Sequence, residues 1–355
     1  MDLQTQLAAR AARIDHDGPV YVPDPSRVTF LRALQRALGR TPLWIALACF
    51  TALLALGAAL PWASWFHGAI SNRYAPGSLL TSLDETFWFD QRKTRAALEE
   101  ATGSIGAVLA CLAVLMGVFA AGGWLQVFLQ RTEGHSLRRF FLGGSRYFFR
   151  FLRVLFLTLL FLQLAGFVLY GAPWKWLVLD VGLGAKDLQE LPSELTARQI
   201  GWLQDGLFLL STALILCWGD YTRTRLALHD GVSATWAGLC TWFTMLAHPL
   251  RTLRPLFLLW LCEAAVLWCV LQATRVIDVR IDAPGDWLPV LTLLLLGLVA
   301  IAWRCIVRGA RYAATLEVSG VLVRAPRRPD PWRETIGGPG GPQYPIGGDE
   351  YGVSL

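Results

Sequence analysis

Hydrophobic residues are gathered into six long stretches along the chain, and polar segments rich in arginine separate them. Residues 101–130 and 154–173, for example, carry no Asp, Glu, Lys, Arg or His. A helix needs about 20 apolar residues to cross a bilayer core of about 30 Å, and its backbone groups must bond within the segment. The pattern therefore predicts an all-α, polytopic membrane helix bundle. Its six transmembrane helices are expected at Pro42–Trp62, Ser104–Leu129, Val154–Tyr170, Ile200–Gly219, Pro255–Thr274 and Trp287–Trp303.

Composition agrees with a membrane protein and excludes several other classes. The chain is 54% hydrophobic and only 16% charged, whereas soluble domains carry about 25% charged residues. The net charge of +6 comes from basic residues at the edges of the apolar stretches, so nucleic acid is not expected as a partner. The seven cysteines lie in or beside the apolar stretches, without CxxC pairs, HExxH motifs or Cys/His clusters. We therefore expect no disulfide framework, no metal and no cofactor.

Arginine is distributed unevenly among the segments that connect the apolar stretches. It is in excess before the first stretch and after the second, fourth and sixth, whereas acidic residues balance the basic ones in the other connections. Positively charged connections stay in the cytoplasm. Both termini are therefore predicted to be cytoplasmic, in a multi-pass protein of the cell inner membrane. The arginines in excess are Arg27, Arg32, Arg36, Arg40, Arg131, Arg138, Arg139, Arg146, Arg150, Arg153, Arg223, Arg225, Arg251, Arg254, Arg304, Arg308, Arg311, Arg324, Arg327 and Arg328.

A basic amphipathic segment precedes every second apolar stretch, near residues 28–40, 136–149 and 232–247. In the first of them leucines occupy one helical face and arginines the other. Such a stripe predicts a helix that lies in the membrane interface, with its arginines toward anionic lipid headgroups. A soluble cytoplasmic helix is the alternative interpretation.

These segments imply an internal repeat and a division of the chain into three parts. Each repeat consists of an interfacial helix followed by a helical hairpin, and three repeats make the membrane domain. We expect a cytoplasmic N-terminal segment over residues 1–26 and the six-helix domain over 27–315. A glycine- and proline-rich cytoplasmic tail, which is disordered or held by a partner, follows over 316–355.

Small residues recur along one face of the second predicted span. Glycine and alanine at such intervals allow helix backbones to approach closely. The second span is therefore expected to be central in the bundle. The residues of this small-residue stripe are Gly106, Ala110, Ala113, Gly117 and Ala121.

Glu263 is the one acidic residue deep inside a predicted span. It follows Pro255 by eight residues, which places it about 12 Å from the inner edge at about 1.5 Å per residue. Gln163 and Thr51 reach similar depths in the corresponding spans of the other repeats, so the three form a candidate intramembrane polar cluster. An isolated charge is costly in the membrane. We therefore expect a protonated Glu263 that hydrogen-bonds Gln163 or a backbone carbonyl.

Two segments resemble known membrane proteins. They are Phe141–Arg153, with the sequence FLGGSRYFFRFLR, and Asp220–Leu239, with the sequence DYTRTRLALHDGVSATWAGL. Both resemble uncharacterised bacterial six-helix membrane proteins and are similar to the membrane domain fused to some glycerophosphodiester phosphodiesterases. The resemblance implies a six-helix membrane domain over residues 27–315. It carries over no catalytic residue, because these 355 residues include no segment that resembles the soluble phosphodiesterase domain.

Three functions are compatible with this pattern. No pair of titratable groups lies in one membrane plane, as general acid–base catalysis would require. The leading interpretation is a non-enzymatic membrane protein that scaffolds or assists a larger membrane or envelope complex, with other membrane proteins as partners. The alternative is a small-solute or ion permease that uses Glu263. A lipid-modifying enzyme is the third interpretation.

Overall fold

The fold is described by a computed structural model that covers residues 29–70, 89, 91–129, 136–184, 193–229, 231, 233–278 and 287–322. Eight main helices account for most of these residues. They are α1 (Thr29–Leu38), α2 (Thr41–Ile70), α3 (Arg92–Leu129), α4 (Ser136–Tyr170), α5 (Glu194–His229), α6 (Ala234–Ala247), α7 (Pro249–Asp278) and α8 (Trp287–Leu322). Three short helical segments follow α4, at Ala172–Trp174, Lys175–Asp180 and Val181–Leu183, and the middle one is a π-helix.

Six of these helices are long and apolar enough to cross a membrane. They are α2, α3, α5, α7 and α8 together with α4 and its short continuation, and each contains one of the predicted spans. The prediction of an all-α polytopic bundle is confirmed. The predicted segment 1–26 lies outside the described residues. Helix α8 continues past the expected domain end at 315 to Leu322, because residues such as Leu316 and Val318 are buried in the bundle.

The second predicted interfacial helix is not a separate element. Residues 136–149 and the following span form the single 35-residue helix α4, whereas α1 and α6 are distinct short helices. The difference has a local cause. Gly39 and Pro42 lie at the α1–α2 junction, and Pro249 displaces His248 from helical geometry (φ −135°, ψ 58°). No such residue interrupts the chain between 149 and 154, so the helix continues.

Buried side chains are concentrated at one end of the bundle. We call this the packed end; it comprises α1, α6 and residues 43–47, 117–129, 136–158, 215–229, 252–259 and 306–322. The open end comprises the remaining described parts of the long helices. Among described residues, the buried apolar side chains of the open end are Trp174 and Leu179. The long helices thus pack tightly over part of their length and expose apolar side chains over the rest.

Glycines bring α3 and α4 together at the packed end. A Cβ added at Gly143 would lie 2.2 Å from Gln126 Cβ, and one added at Gly122 would lie 2.7 Å from the Gly143 carbonyl oxygen. A Cβ added at Gly123 would likewise collide with the ring of Phe140, and one added at Gly144 would collide with the ring of Phe119. These two adjacent glycine pairs, rather than the small-residue stripe, make the closest backbone approach in this helical hairpin.

The short helices are fixed to the long ones by specific contacts. Trp218 Nε1 of α5 donates a hydrogen bond of 2.8 Å to the carbonyl oxygen of Gly238 in α6. Alanines of α1 pack against alanines of α8, in a cluster that includes Ala33, Ala37, Ala310 and Ala314. The first and last described helices of the chain are therefore neighbours.

Candidate functional site

A buried acid at the packed end connects three helices. Asp220 of α5 is only 2% exposed. Its Oδ1 accepts a hydrogen bond of 3.1 Å from Arg223 Nη1, and its Oδ2 accepts one from Arg311 Nη2 of α8. The Arg311 guanidinium also lies 5.1 Å from the centre of the Trp260 ring in α7, a distance at which cation–π attraction operates. One carboxylate thus fixes two arginines, and the cluster ties α5, α7 and α8 together.

Hydroxyl groups continue this polar layer beside Asp220. Thr224 Oγ1 of α5 and Thr315 Oγ1 of α8 are 2.8 Å apart, and both residues are fully buried. The Tyr221 hydroxyl donates a hydrogen bond of 2.7 Å to the Thr252 carbonyl oxygen of α7. Because each hydroxyl has a protein partner, these groups serve helix packing in this arrangement.

A small cleft opens next to this layer. Its polar lining includes Tyr221, Thr241, Thr252 and Arg225, whose Nη1 lies 3.4 Å from Thr244 Oγ1. The unfilled space is about 270 Å³ and includes volume open to the outside. Because part of this volume is open space rather than an enclosed cavity, the cleft does not by itself identify an enzyme or permease site.

A second buried acid joins the first and the last described helices. Glu317 of α8 is 2% exposed, and its Oε1 lies 2.5 Å from Arg36 Nη1 of α1. The contact is an ion pair in which the N–H does not point at the oxygen with hydrogen-bond geometry. Because the Arg36 side chain is 45% exposed, water screens the pair on one side.

Glu263 has an ionisable partner, contrary to the expectation of a lone intramembrane acid. Its Oε1 lies 3.4 Å from Arg304 Nε of α8, and the two side chains are 20% and 69% exposed. One sequence signal points to this pair: α7 and α8 are consecutive, and both residues lie at similar distances from the connection between them.

The predicted polar cluster of Glu263, Gln163 and Thr51 is not assembled. Gln163 is exposed on α4, which packs mainly against α3 and α5, whereas α7 packs mainly against α8. Thr51 Oγ1 donates a hydrogen bond of 2.8 Å to the Leu47 carbonyl oxygen of its own helix. Equal depth in equivalent spans does not bring side chains together when those spans are not neighbours.

The small-residue stripe of α3 is divided between the two ends. Gly117 and Ala121 are buried, as close packing requires. Gly106, Ala110 and Ala113 are exposed, and an added Cβ at Gly106 would meet nothing within 4 Å. Among the described residues, this part of the stripe is therefore not covered by a closely packed helix.

Two further observations bear on function. Among the described residues no group of three or more His, Cys, Asp or Glu side chains is placed to hold a metal ion. The chain matches no protein-family model, no curated protein and no solved structure. The resemblance to the membrane domain of glycerophosphodiester phosphodiesterases therefore stays a prediction.

Proposed function

We propose that this multi-pass membrane protein is a non-enzymatic scaffold that assists the assembly of a larger membrane or envelope complex. The observation that supports it is the contrast in packing along the same helices. In α2, α7 and α8 only 11% of the most apolar 18-residue window is buried within the chain. The exposed helix faces offer apolar surface to other membrane proteins, while the packed end holds the bundle in one arrangement.

The chemistry of the packed end is consistent with a structural role. Asp220 and Glu317 are each paired with arginine, and the neighbouring hydroxyls bond to protein groups. Deleting one partner of a buried ion pair leaves an uncompensated charge, so such pairs enforce a particular packing once it has formed. A scaffold needs this kind of fixed platform beside a surface that partners can cover.

We also propose that the packed end faces the cytoplasm of a cell with an inner membrane. The arginine excess supports this orientation, because positively charged connections remain on the cytoplasmic side. The test introduces single cysteines into a chain whose native cysteines are replaced. An impermeant thiol reagent added to intact cells should label Ser193→Cys, and equally Ser78→Cys, but not Ser136→Cys. Labelling at position 136, without labelling at 78 or 193, would show that the chain has the opposite orientation.

Site-specific photocrosslinking in membranes tests the scaffold proposal. A photoreactive phenylalanine replaces Leu209 or Leu160, which are 72% and 61% exposed at the open end. The matched control replaces Phe151, which is fully buried at the packed end. We expect discrete adducts with other proteins from the first two positions and intramolecular products from the third. Adducts with lipid alone at several open-end positions would contradict the proposal.

A permease is the second candidate, and the Glu263–Arg304 pair favours it. The pair is partly exposed and lies where α7 and α8 begin to leave the packed end. An intramembrane ionisable group of this kind is often part of a transport path. The Glu263→Gln variant separates the two functions. A permease that cycles a proton or cation through this acid loses solute flux while remaining folded. A scaffold keeps its open-end protein adducts in the same variant.

A further inference from the structure

Three arginines follow one face of α8, and each points to a different neighbouring helix. Arg304, Arg308 and Arg311 are spaced four and then three residues apart, so they share a face. Arg304 meets Glu263 of α7, and Arg311 meets Asp220 of α5. Arg308 lies against α3, where a Cβ added at Gly117 would be 2.5 Å from its Nη2 atom. The three guanidinium groups therefore contact three different helices that surround α8.

The three arginines of this face differ in how their charge is compensated. Arg311 is bonded to Asp220, which also accepts a hydrogen bond from Arg223. Arg304 has a single ion pair, through Nε, and its side chain remains 69% exposed. Arg308 is exposed and has no ion-pair partner within the part of the chain that the structure describes. Positive charge is therefore in excess around Arg304 and Arg308.

The positive charge of Arg308 lies beside a part of α3 that has no charged residues. Gly117 lies near the middle of residues 101–130, which contain no Asp, Glu, Lys, Arg or His. The Arg308 guanidinium is therefore held against an uncharged, apolar helix. A cation in such a place is costly unless an anion or water accompanies it. The absence of a side chain at Gly117 lets the guanidinium lie directly against the α3 backbone.

Arg304 is largely exposed, and the approach to Arg308 along α3 is lined by small side chains. Gly106, Ala110 and Ala113 continue the face of α3 that carries Gly117, and all three are exposed. An incoming group can therefore reach Arg308 along a surface of small side chains. Guanidinium groups bind phosphate through paired N–H donors, which makes arginine the preferred residue for such anions.

We propose that Arg304 and Arg308 form a binding site for a phosphate group, carried either by a membrane lipid or by a soluble anion. The proposal is independent of the scaffold function. Glu263 limits the affinity of the site, because its carboxylate lies beside Arg304 and repels an anion. Arg311 and Asp220 keep α8 in the orientation that presents both arginines.

Lipid and phosphate titrations of the purified full-length protein test the site. Dioleoyl phosphatidylglycerol in detergent micelles, dioleoyl phosphatidylcholine as the zwitterionic control, and inorganic phosphate are the probes. The readouts are the midpoint of thermal unfolding and the number of lipids retained in native mass spectrometry. We expect saturable stabilisation by a phosphate-bearing probe, with affinity reduced at least tenfold in Arg308→Gln. The matched control is Arg275→Gln, in the last turn of α7. This variant should bind the phosphate-bearing probes like the wild type.

Two more variants make the outcome unambiguous. Glu263→Gln should bind the anion more tightly, a gain that loss of folding cannot produce. Ala110→Leu narrows the approach and identifies the source of the phosphate. Weaker phosphatidylglycerol binding with unchanged phosphate binding indicates a lipid, whereas stabilisation by phosphate alone indicates a soluble anion. Unchanged anion binding in Arg308→Gln, or no saturable binding of either probe to the wild type, would overturn the proposal.

Discussion

The packed and open ends of the bundle place the same residue types in opposite environments along the same helices. On α5, Asp220 is buried between two arginines, whereas Asp205 accepts one hydrogen bond of 2.7 Å from an exposed Tyr170. Among the glycines, Gly143 is in close contact with α3, and Gly57 has nothing within 4 Å of an added Cβ. Hydrophobicity alone does not distinguish the two ends. Tight packing occurs where glycine permits close approach and where charges have partners.

The largest difference between the ends is expected for the two aspartates. Asp220→Ala leaves Arg223 and Arg311 without their shared carboxylate inside the packed end. Loss of one partner from a buried ion pair costs about 3–5 kcal/mol. The free energy of unfolding in detergent should fall by that order. Asp205→Ala removes an exposed contact, so its effect should stay below about 1 kcal/mol. Similar losses of unfolding free energy in the two variants would show that burial does not determine how much each aspartate stabilises the fold.

Glycine-to-alanine substitutions give a second, smaller difference. At Gly143 the new methyl group collides with Gln126 and the Gly122 carbonyl oxygen, and overpacking of this kind costs about 1–3 kcal/mol. At Gly57 there is room for the methyl group, and alanine favours the helix by up to about 1 kcal/mol. Thermal unfolding should thus shift down for Gly143→Ala and remain equal or shift up for Gly57→Ala. A stabilised Gly143→Ala variant would mean that α3 and α4 are less closely packed than described.

The smallest of the three effects concerns the attachment of α6. Trp218→Phe keeps most of the ring in contact with Phe161 and Trp242 but removes the hydrogen bond to the Gly238 carbonyl oxygen. A net hydrogen bond is worth about 1 kcal/mol. The unfolding free energy should fall by about this amount, and limited proteolysis near residue 231 should become faster. Trp202→Phe, at an exposed position of the open end, should change neither measurement.

Some features of this architecture could be predicted from sequence because they depend on local patterns. An apolar stretch without charges identifies a spanning helix wherever the helix finally packs, so all six spans were found. The continuity of α4 was also visible in principle, since no proline or glycine separates residues 149 and 154. The interfacial helix was expected there because residues 136–149 are basic and amphipathic, a pattern that a longer helix can carry equally well in its first turns. Separate short helices formed only where glycine or proline breaks the chain.

The candidate sites were less predictable because they depend on which helices become neighbours. Depth within a span placed Glu263 beside Gln163, but these residues belong to helices that pack elsewhere. The partner of Glu263 lies on the adjacent helix of its own hairpin. Likewise, a stripe of small residues predicts close packing only where a second helix follows it. No local pattern predicts the pair of Asp220 and Arg311, because these residues are 91 positions apart and meet only when α5 packs against α8.

The contact between α1 and α8 has a consequence for the order in which the protein assembles. Helix α1 is the first described helix to leave the ribosome, and α8 is the last. At about 5–20 residues per second, synthesis of the intervening chain takes on the order of tens of seconds. During that time Ala33 and Ala37 lack the alanines of α8, and Arg36 lacks Glu317. The bundle therefore closes only once α8 has been made, and a chain that stalls before α8 retains only the contacts of α1 with residues such as Leu259 of α7 and Trp44 of α2.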